Sequence, residues 1–242
     1  MRREVTALLC LLLLAGCGEK KPANARMPAP PPTITTVPEP GPAQVGKAPP
    51  PAISVPPDAT PLFTETGMAS WYGPPYHNRQ SSNGEIYDMN AMTAAHRTLP
   101  LNSVVRVTNL RTGAATLVRI TDRGPFVEGR VIDLSLAAAK AIDVWRPGTA
   151  PVKLDVLDTP APLDSGGRWC VQIGAFHQQI AAAELRESLS RRYLTARVLD
   201  FPSPAGDWWV RVRVLNDDRA RAEEITRDTH TDEGSIFLVR LD

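Results

Sequence analysis

Short runs of alternating apolar and polar residues mark the first part of the chain that can fold. They are MASWY from Met68, SVVRVTNL from Ser103, ATLVRITD from Ala115 and VKLDVL from Val152. Such alternation is typical of half-buried β-strands. One alanine-rich stretch from Leu136 interrupts them and predicts a small helix that begins near Asp133 or Ser135. Several short strands and one small helix predict a compact β-barrel over residues 62–158.

A different pattern follows a short break at residues 159–167. The order strand, helix, strand, strand, helix, strand is predicted for residues 168–242. The predicted strands are Trp169–Phe176, Ala196–Leu199, Trp208–Val214 and Ser235–Leu241. The first predicted helix carries Ala182, Leu185 and Leu189 on one face, and the second begins at Asp217 or Asp218. WCVQIGAF and WWVRVRVL resemble each other, which favours a split β-α-β pair. Both helices then cover one face of the sheet, and the other face is open to a ligand.

The amino terminus has the features of a secretory signal. Arg2 and Arg3 precede an apolar run, Ala7 to Leu14, that is too short to span a bilayer comfortably. The run closes in Leu-Ala-Gly-Cys, which resembles a bacterial lipobox and predicts cleavage after residue 16 and acylation of Cys17. Gly18, rather than an aspartate, favours the outer membrane. The alternative is an ordinary signal peptide with a chance cysteine.

Residues 17–61 are predicted to be a lipid-anchored linker. From Pro22 the composition shifts to Pro, Ala, Thr and Val, with PAPPP, PEPGP and APPPA. Such a segment buries too little apolar surface to fold. In polyproline geometry, at about 3.1 Å per residue, about forty residues reach on the order of 120 Å. The segment therefore suits a tether from a membrane into the cell wall.

Charge and cysteine content exclude several classes of function. The 27 basic and 26 acidic residues balance, which argues against nucleic-acid binding and favours an uncharged or zwitterionic partner. Cys10 leaves with the signal and Cys17 is acylated, so Cys170, in an apolar strand, is predicted to be a buried structural thiol. The four histidines are scattered. We therefore predict no metal site and no cofactor.

Acidic residues and one histidine gather in glycine-punctuated sequence between Ser81 and Asp133. They are Glu85, Asp88, His96, Asp122 and Asp133. No nucleotide-binding loop, metal-ligand spacing or nucleophile motif accompanies them. This set therefore indicates proton-transfer chemistry on a neutral polymer.

The segments that carry these residues resemble the double-psi β-barrel of the RlpA lipoproteins. The matching pieces are ASWYG, NGE followed by YDM, TAAH, VRVTN, DRGPF with GR, and IDLS, with SSNGE as a departure before the acid. The second unit resembles a SPOR domain, although SPAGDWWV and THTDEGSIF depart from the commonest SPOR loops. The resemblance implies a six-stranded double-psi β-barrel followed by a ferredoxin-like βαββαβ SPOR domain.

The resemblance also implies an activity. It is that of an endolytic lytic transglycosylase that cleaves peptidoglycan glycan strands, prefers strands without stem peptides and releases 1,6-anhydromuramyl ends. The implied location is the periplasmic side of the membrane, in the inner leaflet of the outer membrane, with enrichment at the septum and divisome proteins as further partners. The alternative is a non-catalytic, expansin-like protein that binds or loosens the wall.

Each residue of the set has a chemical and a structural interpretation. Glu85 follows an Asn-Gly turn and is the expected acid and base, unless it is only an exposed turn residue. Asp88 shares its site or caps the next turn. His96 orients a carboxylate or is structural. Asp122 supports the site or forms an ion pair with the arginine after it. Asp133 contacts substrate or, more simply, caps the helix.

Aromatic and polar side chains are the expected sugar contacts. In the barrel these are Trp71, Tyr72 and Phe126, although aromatic residues more often belong to a core. In the SPOR unit they are Gln172, Phe176, Trp208 and Arg211. Alternation places Gln172 opposite its neighbours on the open face, and Trp209 is then expected to face inward.

Overall fold

The computed structural model describes residues 53, 55, 56, 58–203 and 206–242, all within one compact unit. The predicted signal peptide, the predicted acylation site Cys17 and the predicted linker up to residue 52 lie outside the described residues. Within the described ranges, no helix is both long and apolar enough to cross a membrane.

The first part of the described chain is a closed barrel of six strands, as predicted. Around the barrel the strands follow the order β1-β5-β2-β4-β3-β6. Two pairs, β1 with β5 and β2 with β4, are parallel, and the others are antiparallel. The strands are β1 Phe63–Trp71, β2 Thr93–His96, β3 Val104–Asn109, β4 Ala115–Asp122, β5 Arg130–Leu134 and β6 Ala150–Asp158.

Alternation along these strands fills the barrel. Fully buried residues on every strand form one cluster: Ala69, Ala94, Val105, Val107, Val118, Ile120, Ile132, Leu134, Val152, Leu154 and Val156. Because successive side chains of a strand point to opposite faces, the residues between them point outward. Ser70 and Asp133 are therefore on the outer face of the barrel.

Two strands were not predicted from the sequence, and one of the two predicted helix caps is correct. Strand β2 has four buried residues and no alternation, and β5 is only five residues long, so neither carries a clear period. Helix α1 spans Leu136–Ala141, and its N-cap is Ser135, whose Oγ accepts from the Ala138 N–H at 3.2 Å. The helix-capping interpretation of Asp133 is wrong, because Asp133 lies inside β5.

The second part has the predicted order of elements. Strands β7 Trp169–Phe176, β8 Arg197–Pro202, β9 Trp208–Arg213 and β10 Ser235–Arg240 form a sheet in the order β10-β7-β9-β8. The helices are α2 Gln179–Arg192 and α3 Arg219–Asp228, and Asp218 caps α3 by accepting from the Arg221 N–H at 3.2 Å. Buried residues of both helices join one core with the sheet: Ala182, Leu189, Ala222 and Ile225 with Trp169, Val171, Ile173, Val210 and Val212.

The opposite face of this sheet, which we call the helix-free face, is partly covered by the barrel. Cys170, Trp209, Phe237 and Val239 form its buried cluster, and Phe126 of the barrel packs against them. The faces predicted for Trp208 and Trp209 were wrong. Trp209 belongs to the helix-free face, whereas Trp208 packs against the helix-side core. Cys170 is a buried free thiol, as predicted.

Candidate functional site

Strand register brings two of the predicted acids into one row across the barrel. Ala95 of β2 pairs with Asp122 of β4 on one side and with Asp133 of β5 on the other. Asp133 in turn pairs with Ser70 of β1. Neighbouring strands lie about 4.8 Å apart, so the backbones of the two aspartates, two strands apart, are about 10 Å apart. The small Ala95 lies between them.

Asp133 is a largely buried carboxyl on this row. Its Oδ1 accepts from the Ser70 hydroxyl at 2.6 Å and lies 3.6 Å from Nη1 of Arg130. Arg130 also donates to the Ser70 hydroxyl. Burial raises the pKa of Asp133, and the hydrogen bond from Ser70 and the charges of Arg130 and Arg97 only partly oppose it. The site therefore favours the protonated carboxyl of Asp133 more than water does.

Asp122 holds the turn that carries Glu85. Its Oδ1 accepts from the backbone N–H of Ser82 at 3.1 Å, from the Ser82 hydroxyl at 2.5 Å and from the Arg123 N–H at 2.8 Å. The Asn83 N–H donates to the Thr121 carbonyl at 3.1 Å, which joins the turn to β4 a second time. Asp122 therefore fixes the position of the turn beside the row.

Glu85 meets an arginine that the sequence analysis did not identify. Arg119 Nη1 donates to Glu85 Oε1 at 3.1 Å, and Arg119 Nη2 lies 3.0 Å from Glu85 Oε2. Two parallel contacts of this kind form a bidentate ion pair. Arg119 pairs with Thr93 in the β2–β4 ladder, and this register places it on the outer face. In this structure the carboxyl group of Glu85 is therefore held by a guanidinium.

Asp88 follows its structural interpretation in the described contacts. Its Oδ1 accepts from the Asn90 N–H at 2.9 Å and from the Asn90 side-chain amide at 3.2 Å. The side chain is 55% exposed and lies 3.8 Å from Nδ1 of His77. A carboxylate that caps the backbone two residues later forms an Asx turn. Asp88 therefore shapes the turn after Glu85.

His96 is buried and orients a carboxylate outside the predicted set. Its Nε2 lies 3.2 Å from Glu65 Oε2. Its Nδ1 accepts from the backbone N–H groups of Thr98 at 3.2 Å and Leu99 at 3.0 Å. Burial lowers the pKa of His96, although the hydrogen bond to Glu65 opposes this effect. The neutral ring, with the proton on Nε2, satisfies all three contacts.

Aromatic side chains border the outer face near the row. Tyr72 stacks on Tyr87 with ring centroids 4.4 Å apart and meets Tyr76 edge-on at 6.0 Å. Burial raises the pKa of Tyr72 well above its ordinary value. Trp71, in contrast, packs against the barrel core. Of the two neighbours predicted to contact sugar, Tyr72 therefore lies on the site side and Trp71 does not.

Residues predicted to bind glycan in the second unit divide between the two faces of its sheet. Arg211 donates to Gln172 Oε1 at 2.7 Å, and its guanidinium lies 4.8 Å from the ring centre of Phe201. This group belongs to the helix-free face. Phe176 and Trp208 pack instead with the helix-side core, so the structure contradicts their assignment to the open face. A bulge between Ile173 and Phe176 shifts the alternation there.

Gly124 and Ala95 form a shallow floor between the two aspartates. Gly124 has φ +146°, and a Cβ built on it would lie 3.7 Å from Ala95 Cβ and 4.0 Å from Asp133 Oδ2. Among the described residues, no group of three or more His, Cys, Asp or Glu side chains is arranged to hold a metal ion.

The residues missed by sequence analysis are the partners of the acids. Ser70, Ser82, Arg119, Arg130 and Glu65 each contact a predicted site residue. Arg119 could have been found from the sequence, because it is a charged residue at an outward position of ATLVRITD. The other contacts depend on strand register, which a single sequence does not show.

Two family models match the chain. Residues 64–154 match the model described as "Lytic transglycolase", which is a double-psi β-barrel family. Residues 165–226 match the SPOR domain model. The matched ranges coincide with the barrel and with most of the second unit.

Several bacterial proteins named "Endolytic peptidoglycan transglycosylase RlpA" are similar to the chain. The Campylobacter jejuni protein is 41% identical over 158 residues, which are 55% of this chain and 56% of that protein. The Helicobacter pylori J99 protein is 44% identical over 51% of this chain and 48% of that protein. The Vibrio cholerae protein is 57% identical over 41% and 38%. The chain thus spans about half the length of the curated relatives it matches.

Solved structures show weaker similarity. A Streptomyces papain inhibitor matches with a TM-score of 0.34 and 19% identity over 42% of this chain and 100% of its own. An expansin from Clavibacter michiganensis matches with a TM-score of 0.33 and 14% identity over 64% of this chain and 81% of its own.

Proposed function

Since the chain joins a barrel of the RlpA lytic transglycolase type to a SPOR domain, we propose that it is an endolytic peptidoglycan lytic transglycosylase. The observation that carries the proposal is the row of Asp122, Ala95 and Asp133 beside Glu85 on the outer face of the barrel. A glycosidic cut needs a proton for the leaving oxygen and negative charge near the oxocarbenium-like centre. This row supplies carboxyls in two different environments.

Asp133 is our choice for the proton donor. Its pKa is raised by burial, and a general acid must hold its proton near the working pH. The Ser70 hydroxyl donates to Oδ1 and orients the carboxyl. After the bond breaks, the carboxylate accepts the proton of the muramyl C6 hydroxyl as this oxygen closes on C1. One group then serves as acid and base, and no water attacks.

In this mechanism Glu85 supplies negative charge, and Asp122 keeps Glu85 in position. The sequence nominated Glu85 as the acid, but its bidentate pair with Arg119 suits a residue that acts as a carboxylate. Glu85 then stabilises the positive charge that develops on the sugar. Asp122 holds the Glu85 turn through Ser82. His96 keeps the loop after β2 in place and so remains a supporting residue.

The expected substrate is a glycan strand without stem peptides. The resemblance implies that SPOR domains bind such strands, and on the helix-free face Arg211 lies over Phe201 and is held there by the buried Gln172. A cation held over an aromatic ring suits a sugar chain whose lactyl groups are anionic after loss of the peptides, so the proposed partner is not the uncharged polymer that the charge balance favoured. We propose that this domain brings the enzyme to the division septum. Acylated Cys17 anchors it in the inner leaflet of the outer membrane.

Product analysis tests the proposal. The detergent-solubilised full chain is incubated with denuded sacculi and with intact sacculi, and the released glycan fragments, with or without peptides, are separated by mass. We expect new 1,6-anhydromuramyl ends, and more of them from denuded material. Binding to sacculi without any such ends, at high enzyme concentration, would instead support the non-catalytic wall-loosening alternative.

A further inference from the structure

The loop after β4 connects the row of Asp122, Ala95 and Asp133, which we call the acid row, to the second domain. Asp122 is at its start, Gly124 lies over Ala95, and Phe126 reaches the helix-free face. The Phe126 ring lies 5.3 Å from the Trp209 ring and 5.8 Å from the Phe237 ring, centre to centre. Aromatic pairs at these separations attract each other beyond simple burial. The loop therefore begins at a carboxyl group of the proposed site, Asp122, and its Phe126 packs on the sheet of the SPOR domain.

Arg123 ties the same loop to both domains through backbone carbonyls. Its Nη1 donates to His96 O at 3.0 Å and to Leu99 O at 2.7 Å, and its Nη2 donates to Asp242 O at 2.5 Å. Burial lowers the pKa of Arg123 to about 10, so the guanidinium remains charged at neutral pH. Charge-assisted bonds in a buried setting are stronger than neutral ones.

Further contacts make the junction continuous. Arg97 Nη1 donates to Pro125 O at 2.9 Å, and its guanidinium lies 5.4 Å from the ring centre of Phe237. The Arg240 N–H donates to Arg97 O at 3.0 Å. The second domain thus contacts this loop through side chains, and it contacts the segment after β2 through a backbone hydrogen bond.

From these contacts we infer that the SPOR domain is part of the catalytic apparatus, with Trp209 and Phe126 as positioning residues that hold Asp122 and Gly124 in place beside Ala95 and Asp133. The inference rests on the proposed function for its catalytic meaning. Its structural content is independent of activity. If Trp209 no longer supports Phe126, the loop opens more often, and the Arg123 N–H leaves the Asp122 carboxylate.

Amide exchange at Arg123, followed by NMR on the full chain, tests this directly. Trp209→Ala is compared with Trp208→Ala, which removes the adjacent indole from the other face of the sheet. We expect exchange of the Arg123 N–H to rise about tenfold or more in Trp209→Ala and to stay as in the wild type in Trp208→Ala. Phe126→Ala should behave like Trp209→Ala, and Phe126→Tyr should restore slow exchange.

Kinetics on the same variants give the second measurement. Trp209→Ala and Phe126→Ala should lower kcat about tenfold with little change in KM, because substrate still binds but the carboxylates are displaced. Wild-type exchange at Arg123 in Trp209→Ala would overturn the inference even if the protein is an active transglycosylase. An inactive wild type with faster exchange in Trp209→Ala would leave the positioning contact and remove the proposed function.

Discussion

His96 donates from Nε2 to Glu65 Oε2 across 3.2 Å, and this pair joins β2 to β1 at one end of the barrel. The ring is buried, and its other nitrogen accepts from the N–H groups of Thr98 and Leu99. Both pKa values are lowered: His96 by burial, and Glu65 mainly by the hydrogen bond from His96. The pair is therefore arranged for a neutral imidazole and an ionised carboxylate.

The barrel should lose stability on acidification in two successive steps. The ordinary pKa of His96 is 6.5, and the folded value is lower, so its contribution is complete above 6.5 and is lost as the pH falls below it. Glu65, with an ordinary pKa of 4.5 and a lower folded value, adds a second loss below 4.5. Unfolding in urea at a series of pH values measures both. His96→Leu should flatten the first step.

His96→Leu also removes the acceptor of two backbone N–H groups. We expect the free energy of unfolding at pH 7 to fall by about 1–3 kcal/mol. Replacing the exposed His230 by Gln is the matched control and should leave both the stability and its pH dependence unchanged. A first acid step of wild-type size in His96→Leu would contradict the assignment.

Asp133→Asn should abolish most activity without loss of stability. The amide oxygen still accepts from Ser70, and the variant avoids the cost of burying a charge, so the melting temperature should stay level or rise. Removal of a general acid costs about 10²–10⁴-fold in rate. Formation of anhydromuramyl ends measures the activity, and calorimetry measures the stability.

The pH profile separates Asp133 from Glu85. Because the donor must be protonated, wild-type activity should decline as the pH rises through the raised pKa of Asp133. Glu85→Gln loses the ion pair with Arg119 and much of the rate, but its residual activity should keep the same alkaline decline. If the decline disappears in Glu85→Gln, the proton belongs to Glu85, as the sequence alone suggested.

The fold was largely predictable because its strands are of the alternating kind. Apolar side chains inside a barrel and polar ones outside leave a clear period of two in β3, β4 and β6. Strand β2 has both faces covered, so its sequence is uniformly buried and shows no period. Its absence from the prediction also hid the central strand of the acid row.

The acids that lie together on the outer face could be named from the sequence, but their pairings could not. Glu85, Asp122 and Asp133 stand out in turn-like sequence, whereas Glu65 is one polar residue among several in FTETGMASW. Trp208 and Trp209 were assigned to the wrong faces although β9 alternates regularly. Trp208 shares the helix side with Val210 and Val212, and Trp209 lies on the helix-free face. The bulge near Phe176 explains only the wrong face of Phe176, because it shifts the alternation of β7.

Arg211→Ala should weaken retention of the full chain on denuded sacculi. Its guanidinium is held over Phe201 by Gln172 and is therefore ordered before a ligand arrives. Loss of a cation fixed over an aromatic ring should lower affinity about five- to thirtyfold. Arg191→Ala removes an exposed cation of α2, paired only weakly with Glu187 at the surface, and is the control. Equal losses in the two variants would indicate non-specific charge attraction.

Gly124→Ala should lower activity far more than it lowers stability. Gly129→Ala, in the same loop, is the control variant. Both glycines have positive φ, +146° and +76°, so both substitutions strain the same loop. A Cβ at Gly129 meets nothing within 4 Å, whereas one at Gly124 reaches Ala95 and Asp133 Oδ2. Only Gly124→Ala therefore fills the floor between the two aspartates, and we expect kcat/KM to fall at least tenfold in this variant alone. Comparable kinetics for the two variants, measured on denuded sacculi, would mean that substrate does not occupy the space above Ala95.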